Sequence, residues 1–365
     1  MTDRVVHVVG ARPNFMKAGP VVKALARRTV EQLVIHTGQH YDRTMSDIFF
    51  SELGLPEPDI NLGVGSGSQA VQTAALLTAL EPALLELDPA LTVVYGDINS
   101  TLATSLVASK LHLSTAHVEA GLRSFDMTMP EEINRRVTDI LAELCFVTSP
   151  EAIQNLQHEG VAIERIHFVG NPMIDTLLAN LDRFDDAAAR AEYGLDGPYA
   201  VATLHRPANV DTPEAAARLV AMLDAVMAQL PVVLPLHPRG RAMLAAAGLV
   251  DGPRLRLIEP LGYIAFLSLV RGAAVVVTDS GGIQEETTIL GVPCLTVRPN
   301  TERPITITHG TNRLVEPDAV GAWVARILAE PRGEVLAAPP LWDGHAGERI
   351  AEIVCGWLAD RSVAS

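Results

Sequence analysis

The feature that most constrains the fold of this chain is the alternation of short apolar β-branched runs with longer segments of helical periodicity. In the first half, four runs predict buried strands, at Val5–Val9, Val34–Thr37, Leu91–Tyr95 and Thr115–Val118. The same alternation starts again in the second half, at Tyr199–Thr203, Val232–Leu236, Leu255–Ile258 and Ala274–Thr278. Such a pattern is typical of βαβ units, so the sequence predicts an α/β protein with two doubly wound parallel sheets.

The length of the chain agrees with two domains. It has 365 residues, and a domain usually takes ~100–200. The stretch 171–199 between the two series of strands has a proline, several charges and an Ala-rich pattern, and we expect the boundary near its start. The first domain is predicted at 1–174 and the second at 175–345, with the ligand site in the cleft between them. We expect an amphipathic C-terminal helix, 346–365, to rejoin the first domain.

The composition restricts the partners of the chain. Hydrophobic residues make up 48% and charged residues 19%, as in a packed globular protein. The formal net charge is −15, from 28 Lys and Arg against 43 Asp and Glu. Such a charge repels polyanions, so we expect no nucleic acid and no membrane as partner. An anionic ligand would have to be met by local positive groups.

The cysteines and the N-terminus indicate a compartment. Cys145, Cys294 and Cys355 are far apart in the chain and form no C-x-x-C pair. No metal site of the zinc type is predicted from them. The chain enters a strand-like run at once, and no run of ~18 uncharged apolar residues follows. We therefore expect a cytoplasmic protein with reduced thiols.

Two segments that follow predicted strands could bind phosphate. Ligands of doubly wound sheets lie outside the carboxyl ends of the strands. The turn after the first strand carries Arg12, and Lys17 follows in the opening turn of a helix, so both cations could face one anion. The alternative interpretation is a Gly-Ala turn followed by two solvated charges.

The second candidate segment comes late in the chain. Ser280, Gly281 and Gly282 stand at a predicted helix start, where bare backbone N–H groups and the helix dipole favour a phosphate. Glu286, about one turn further on, could accept hydrogen bonds from vicinal hydroxyls, and Arg303 could close the phosphate site. Taken alone, Glu286 could instead favour the helix dipole, and Arg303 could be a surface arginine.

Two common nucleotide motifs are missing from the sequence. No G-x-G-x-x-G follows a strand and no G-x-x-x-x-G-K-[ST] occurs, so a dinucleotide or ATP site of the usual kind is not predicted. The glycine-rich segment 63–68 fits neither pattern and is expected to be a loop that leads into a helix. We predict no cofactor.

Acid and base candidates also follow strands. Asp97 and Glu119 come directly after neighbouring strands of the first domain, and Glu131 lies in the first turn of a helix that starts at a proline. His205 follows a strand of the second domain, and His237 is a weaker second candidate. Asp97 could instead cap a helix and Glu131 could favour a dipole. Glu119 is harder to explain structurally, because an acid after a buried strand is costly without a partner.

These segments together resemble the non-hydrolysing UDP-N-acetylglucosamine 2-epimerases. The resemblance runs over nearly the whole chain through the motifs GARPNFMK, TGQHYDRTMS, YGDINST, HVEAGLRS, PEEINRR, FVGNPMIDTL, LHRPANVD, LHPR, TDSGGIQEE and NTERPITITHGTNRLV. It implies two Rossmann-like domains in a glycosyltransferase-B arrangement, closure around a UDP-sugar and a homodimer. Asn14 stands where many members have an acidic residue.

The resemblance also implies roles for individual residues. It assigns the diphosphate to Arg12, Ser280, Gly281, Gly282 and Arg303, the ribose to Glu286, the uridine region to Phe266, and the reacting sugar and its leaving group to Lys17, Asp97, Glu119, Glu131 and His205. The implied substrate is UDP-N-acetylglucosamine.

The implied reaction is an isomerisation at carbon 2 of the sugar. UDP is eliminated to leave a 2-acetamidoglucal and is then added back with the proton on the other face. Two alternatives stay open. One is a hydrolysing epimerase that releases N-acetylmannosamine and UDP, and the other is a UDP-sugar glycosyltransferase of the same fold. The lack of a glycine fingerprint argues against a nicotinamide dehydrogenase.

Overall fold

The computed structural model describes residues 3–38, 52, 54, 56–204, 212–236, 238–330 and 337–364. They form two compact units. The first comprises 1–179 together with 340–365, and the second comprises 180–339.

The first unit is built on a sheet of parallel strands. Seven strands are present in its described part: β1 Val5–Val9, β2 Gln32–His36, β3 Ile60–Asn61, β4 Leu91–Tyr95, β5 Ser114–Ala120, β6 Leu144–Val147 and β7 Ile166–Phe168. Their order in the sheet is β3-β2-β1-β4-β5-β6-β7. The direction of winding therefore reverses between β1 and β4, and the carboxyl ends of these two strands border the place where such folds bind ligands.

Helices connect the strands of the first unit. They are α1 Arg12–Ala26, α2 Gln69–Leu87, α3 Asn99–Lys110, α4 Pro130–Leu141, α5 Pro150–His158 and α6 Pro172–Ala179. Because crossovers between parallel strands are right-handed, the helices on the two sides of the reversal cover opposite faces of the sheet. Because both faces are covered, β1 and β4 are buried at every position. Strands buried in this way are typically continuous apolar runs.

Helix α2 is long and apolar enough to cross a membrane by length and composition alone. In the structure, Leu76, Leu80 and Leu84 on one of its faces are fully buried and join the apolar core formed with Val6 and Ile35 of the sheet. Leucines four residues apart line one face of a helix. The helix therefore packs as a layer of the first unit.

The second unit repeats the plan with a smaller sheet. Six strands are described: β8 Ala200–Thr203, β9 Val232–Pro235, β10 Leu255–Ile258, β11 Val275–Thr278, β12 Cys294–Thr296 and β13 Asn312–Leu314. All described pairings between these strands are parallel, in the order β10-β9-β8-β11-β12-β13. The reversal lies between β8 and β11. The predicted fold class, two doubly wound parallel sheets, is confirmed.

The helices of the second unit are α7 Asp186–Tyr193, α8 Pro213–Met227, α9 Pro238–Ala246, α10 Tyr263–Gly272, α11 Gly282–Leu290, α12 Ile305–Thr308 and α13 Val320–Ala329. Helix α8 presents Leu219, Leu223 and Val226 to the sheet at helical spacing, and all three are buried in the core of the unit.

A final helix, α14 at Ala346–Ala364, belongs to the first unit and packs against α1. Its start is held by Asp175 of α6, whose carboxylate accepts the backbone N–H groups of Ala346 at 3.1 Å and Gly347 at 2.7 Å. These are donors that a helix leaves without an internal partner. A side chain at position 347 would lie 2.7 Å from the backbone oxygen of Pro20, so glycine permits this close packing.

Candidate functional site

The first candidate site lies at the carboxyl ends of β1 and β4 in the first unit. Asn14, in the first turn of α1, joins these two strand ends. Its Oδ1 accepts the N–H groups of Gly10 at 3.0 Å and Ala11 at 3.2 Å, and its Nδ2 donates to the carbonyl of Tyr95 at 2.8 Å. The loop that precedes α1 is thereby fixed to the end of β4. An acidic residue could not make the donated bond, because a carboxylate only accepts.

Lys17 and Glu119 form an ion pair at the centre of this site. The Lys17 ammonium contacts Oε2 of Glu119, and the two side chains are only 5% and 3% exposed. The backbone of Gly96 borders the pair, because a Cβ at position 96 would lie 2.9 Å from Nζ of Lys17 and 3.1 Å from Oε2 of Glu119. Removal of one partner from such a pair leaves a buried charge uncompensated, at a cost of about 3–5 kcal/mol.

Glu119 has an unusual backbone. Its φ is +78°, in the left-handed region, and the register between β5 and β6 shifts between Val118 and Ala120. A bulge of this kind turns one side chain out of the regular alternation of a strand. Left-handed backbone is unfavourable for a residue with a Cβ, so the surrounding contacts hold it in place.

Asp97 follows β4 and remains partly open to solvent. Its Oδ2 pairs with Arg135 of α4, and the side chain is 24% exposed. Arg135 is itself buried and also contacts Oε2 of Glu132 at 2.6 Å. Glu132 is saturated, because it also accepts hydrogen bonds from the backbone and hydroxyl of Ser124 and from the N–H of Phe125. The direction of the Asp97 carboxylate is therefore set by α4.

Glu131, next to Glu132, differs from it. The side chain is half-buried in the first turn of α4 and makes no hydrogen bond or ion pair with the residues that the structure describes. Its helix is tied to the Asp97 turn through Asn134, which donates to the carbonyl of Asp97 at 2.9 Å. Arg12 begins α1, but its side chain lies outside the described part of the structure.

The second candidate site lies at the start of α11 in the second unit. Ser280 follows β11, Gly281 precedes the helix, and Gly282 is its first residue. All three are partly exposed, so the helix start is accessible. Its first N–H groups and the positive end of the dipole form a cradle suited to a phosphate. A Cβ at position 281 would lie 2.5 Å from a guanidinium nitrogen of Arg303, so glycine lets that guanidinium reach the cradle.

Arg303 is held by two buried carboxylates. Its Nε lies 3.1 Å from Oε1 of Glu285, and its Nη1 contacts Glu302. Glu302 in turn pairs with Arg298 at 2.7 Å. All four side chains are 6% exposed or less. A guanidinium that is fixed beside a helix N-terminus presents its N–H donors in one direction, as preorganised anion sites require.

Glu286 lies behind this cradle and is nearly fully buried. Burial raises the pKa of Glu286 to about 8; the Tyr263 phenol of α10, which faces the carboxyl, opposes the shift, and the charge of Glu285 adds to it. Phe266 lies one turn beyond Tyr263 on the same helix and is half-buried. The second unit thus places a carboxyl and an aromatic ring on two neighbouring helices.

His205 and His237 lie outside the described residues, so the structure gives no position for either side chain. Within the described part, no group of three or more His, Cys, Asp or Glu is arranged to hold a metal ion.

The structure groups the sequence candidates into two sets. Lys17 and Glu119 meet beside Gly96 at the end of β4, Asp97 follows Gly96 in the chain, and Glu131 lies on the helix that orients Asp97. Ser280, Gly281, Gly282 and Arg303 meet at the start of α11. Sequence reasoning missed the residues that hold them: Asn14, Glu132, Arg135, Glu285 and Glu302. The sequence did contain a signal for them. PEEINRR has a Glu-Glu and an Arg-Arg pair and TDSGGIQEE has a Glu-Glu pair, and adjacent charges near a buried helix start need partners.

The fold places the chain among α/β proteins with two Rossmann-like units, and its second unit has a helix N-terminus beside a buried arginine, an arrangement that can bind an anionic ligand. The chain belongs to the UDP-N-acetylglucosamine 2-epimerase family, whose model matches residues 23–355. The prediction of a UDP-N-acetylglucosamine 2-epimerase is confirmed at the level of the family and the enzyme class.

Individual relatives agree with the family. A UDP-N-acetylglucosamine 2-epimerase of Methanocaldococcus jannaschii is 40% identical over 95% of this chain and 97% of its own. A crystal structure of the M. jannaschii UDP-GlcNAc 2-epimerase in complex with UDP-GlcNAc and UDP is similar with a TM-score of 0.90 at 39% identity, covering 97% of this chain and 99% of that one. A UDP-2,3-diacetamido-2,3-dideoxy-D-glucuronate 2-epimerase of Pseudomonas aeruginosa is 42% identical over 86% of this chain and 88% of its own.

The buried carboxyl of Glu286 predicts a pH-dependent gain in stability for Glu286→Gln. The pKa of Glu286 is raised in the folded state from 4.5 to about 8. The folded wild type therefore loses stability as the pH rises from about 4.5 through about 8, because the carboxyl must then ionise in a buried place. Glutamine has no such charge. We expect the melting temperature of the variant to exceed that of the wild type at about pH 9, and the difference to vanish toward about pH 4.5.

The matched control is Glu214→Gln, because Glu214 is an exposed first-turn glutamate of α8. Circular dichroism melts of the three proteins across this pH range measure the effect. An equal offset between Glu286→Gln and the wild type at every pH would contradict the prediction.

Proposed function

We propose that the enzyme interconverts UDP-N-acetylglucosamine and UDP-N-acetylmannosamine without hydrolysis. In the first step a base removes the proton from carbon 2, a double bond forms between carbons 1 and 2, and UDP leaves with the electron pair of the bond from carbon 1 to oxygen. In the second step UDP adds back to the 2-acetamidoglucal and a proton arrives at the opposite face of carbon 2. The reaction needs no external oxidant or reductant.

The observation that carries this proposal is the ion pair of Lys17 and Glu119 against the backbone of Gly96, with Asp97 next in the chain. The carbon 2 proton of an N-acetylhexosamine is weakly acidic, so elimination has to develop positive charge on the sugar and negative charge on the phosphate. Carboxylates that are already oriented stabilise the first charge. Neither hydride transfer by a dehydrogenase nor simple ligand binding requires the carboxylates of Glu119 and Asp97 near the same turn.

The second unit supplies the groups for the leaving UDP. In the proposed complex, the N–H groups around Ser280, Gly281 and Gly282 bind the diphosphate together with Arg303. Glu286 accepts the ribose hydroxyls, and Phe266 contacts the uridine. Arg12, Lys17 and His205 add positive charge or a proton at the phosphate that leaves. Arg303 supports this assignment, because Glu285 and Glu302 already hold its guanidinium in place and it loses little conformational entropy when it binds an anion.

The proton transfers are assigned to two carboxyl groups. Removal and return of a proton on opposite faces require two acid–base groups. Asp97, which is partly exposed and oriented by Arg135, and Glu131, which is free of described partners, fill these roles in the proposal. Glu119 is already paired with Lys17 and assists at a sugar hydroxyl.

A second candidate substrate has specific support. The P. aeruginosa relative is named for a UDP-2,3-diacetamido-2,3-dideoxy-D-glucuronate, and its identity to this chain is as high as that of the M. jannaschii enzyme. That sugar undergoes the same change at carbon 2 but carries an additional carboxylate and a second acetamido group. Both substrates therefore need to be offered to the enzyme.

The function is tested by proton NMR of the purified enzyme in deuterated water with each UDP-sugar, a chelator and no nicotinamide. We expect UDP-N-acetylmannosamine with deuterium at carbon 2 to accumulate, because the proton that returns comes from solvent.

Each other result has a distinct meaning. Release of free N-acetylmannosamine with UDP would show the hydrolysing reaction instead. Turnover of the diacetamido sugar alone would transfer the proposal to that substrate. Loss of activity on chelation would show that a metal takes part.

The proton assignments predict different behaviour for three isosteric variants. Asp97→Asn and Glu131→Gln should each lower kcat by about a hundredfold or more, in the usual range for loss of an acid–base group. Glu119→Gln should also fold less stably, since it leaves the Lys17 charge unpaired. Glu151→Gln, at a half-buried glutamate in the first turn of α5, is the control. Near-normal turnover in Asp97→Asn and Glu131→Gln, measured by the same NMR assay, would refute the assignments.

A homodimer is part of the proposal. Helices α2 and α4 expose Val71, Leu85, Ile133 and Ile140, each by 43% or more. A groove of about 390 Å³ lies between these helices and is lined mainly by apolar side chains. Apolar patches of this kind are typical of interfaces. Sedimentation equilibrium should give twice the chain mass of 39.0 kDa, and a single-chain mass would exclude the dimer.

The cytoplasm is the compartment that fits the cysteines. All three are free thiols, and Cys145 and Cys294 are buried. Burial raises the pKa of Cys294 to about 11, so the thiol is neutral and unreactive at physiological pH. Reduced cysteines are usual in a reducing compartment.

A further inference from the structure

His117 in β5 is fully buried, and both of its ring nitrogens face hydrogen-bond acceptors. Nδ1 lies 2.6 Å from Oδ1 of Asp139 on α4. Nε2 lies 2.7 Å from the backbone carbonyl oxygen of Gly96, which directly follows β4. A carbonyl oxygen only accepts, and an ionised carboxylate also only accepts.

Neither neutral form of the ring fits these partners. With a proton on Nδ1 alone, the lone pair of Nε2 would point at the Gly96 oxygen. With a proton on Nε2 alone, the lone pair of Nδ1 would point at Asp139. The doubly protonated imidazolium donates to both, and this form satisfies every contact that the structure gives the ring.

We propose that these two acceptors hold His117 as an imidazolium and that it acts as a positioning residue, joining Gly96 to Asp139 so that Glu119 and Lys17 keep their places. The proposal rests on the proposed function for the roles of Glu119 and Lys17. The charge of the ring is independent of those roles.

Asp139 carries the balancing charge. Its Oδ2 lies 2.7 Å from the Arg123 guanidinium and accepts the N–H of Gly121 at 3.1 Å. Burial alone would raise the pKa of Asp139, but His117 and Arg123 outweigh burial and hold it below its ordinary value. The Arg123 guanidinium at Oδ2 favours the ionised carboxylate whatever the state of the ring, and an ionised carboxylate cannot donate to Nδ1.

The other charged or titratable groups around the ring are compatible with a cation. Arg123 is balanced by Glu159 as well as by Asp139, with its Nη2 2.6 Å from the Glu159 carboxylate. On the neighbouring strand β6, Cys145 pairs with His117 in register. Burial raises the pKa of that thiol to about 12, so it adds no charge. On β5 itself, Glu119 is paired with Lys17 of α1.

The contacts show how the ring acts on the site. It fixes the carbonyl of Gly96, whose backbone borders the ion pair of Lys17 and Glu119 and directly precedes Asp97. Through Asp139 it also fixes the N–H of Gly121, two residues after Glu119. The backbone on both sides of Glu119 is therefore held by the buried pair of His117 and Asp139. Loss of the ring would let Gly96 and Glu119 shift, and small shifts of acid–base groups reduce turnover strongly.

Nitrogen NMR tests the charge directly. The whole chain is prepared with histidine labelled in the ring, and the spectra of its eleven histidines are recorded from about pH 6 to about pH 9. We expect one ring to keep protons on both nitrogens throughout this range. Neutral rings for all histidines at about pH 9 would overturn the imidazolium.

Asp139→Asn identifies that ring. The new amide can donate to Nδ1 while its oxygen still accepts from Gly121 and Arg123, so the ring no longer needs its second proton. The signal should become that of a neutral ring with the proton on Nε2. A doubly protonated ring that persists unchanged in this variant would overturn the pairing.

Kinetics test the positioning role. His117→Gln should lower kcat by about tenfold or more and change KM by less than about threefold, per mole of enzyme that binds UDP. The control is His158→Gln, because His158 is exposed at the end of α5. Wild-type kcat in folded His117→Gln would refute the positioning role. If that variant does not fold, the two nitrogen spectra decide the proposal.

The two proposals fail in different ways. A wild type that exchanges no deuterium into any UDP-sugar would refute the proposed function, while the nitrogen spectra would still test the charge of His117. An active wild type with an ordinary titrating His117 would refute only this inference.

Discussion

The buried ion pair of Lys17 and Glu119 is the interaction on which the first unit's site depends. Burial of either charge alone is unfavourable, so α1 and β5 must place Lys17 and Glu119 next to each other. The neighbouring backbone is built around the pair. Gly96 provides room by having no side chain, and Glu119 takes a left-handed conformation that turns its carboxylate toward the lysine.

In each unit, two adjacent glutamates of one helix make different contacts. In α4, Glu132 is saturated by hydrogen bonds and Glu131 has no described partner. In α11, Glu285 holds the guanidinium of an arginine, while Glu286 is buried beside a tyrosine. Consecutive residues of an α-helix point about 100° apart, because a turn takes 3.6 residues. One glutamate of each pair therefore anchors its helix through an ion pair, and in our proposal the other meets the substrate.

The sequence predicted best what depends on local patterns. Strands β1 and β4 could be located because continuous β-branched runs mark strands that are covered on both faces. Strand β3, at Ile60–Asn61, is too short to leave a period in the sequence. The partners of Asn14 and Asp97 could not be predicted, since Tyr95 lies 81 residues from the first and Arg135 lies 38 from the second. Such contacts are decided by the arrangement of the sheet, which no local pattern encodes.

Helix α14 follows the second unit in sequence but packs against the first helix of the first unit, with Asp175 holding its start. During synthesis, the first unit therefore cannot be completed until the second unit has been translated. The second unit, residues 180–339, is continuous in sequence and is complete on the ribosome before the first unit can close. The second unit, which binds the leaving group in our proposal, can therefore fold before the first unit is complete.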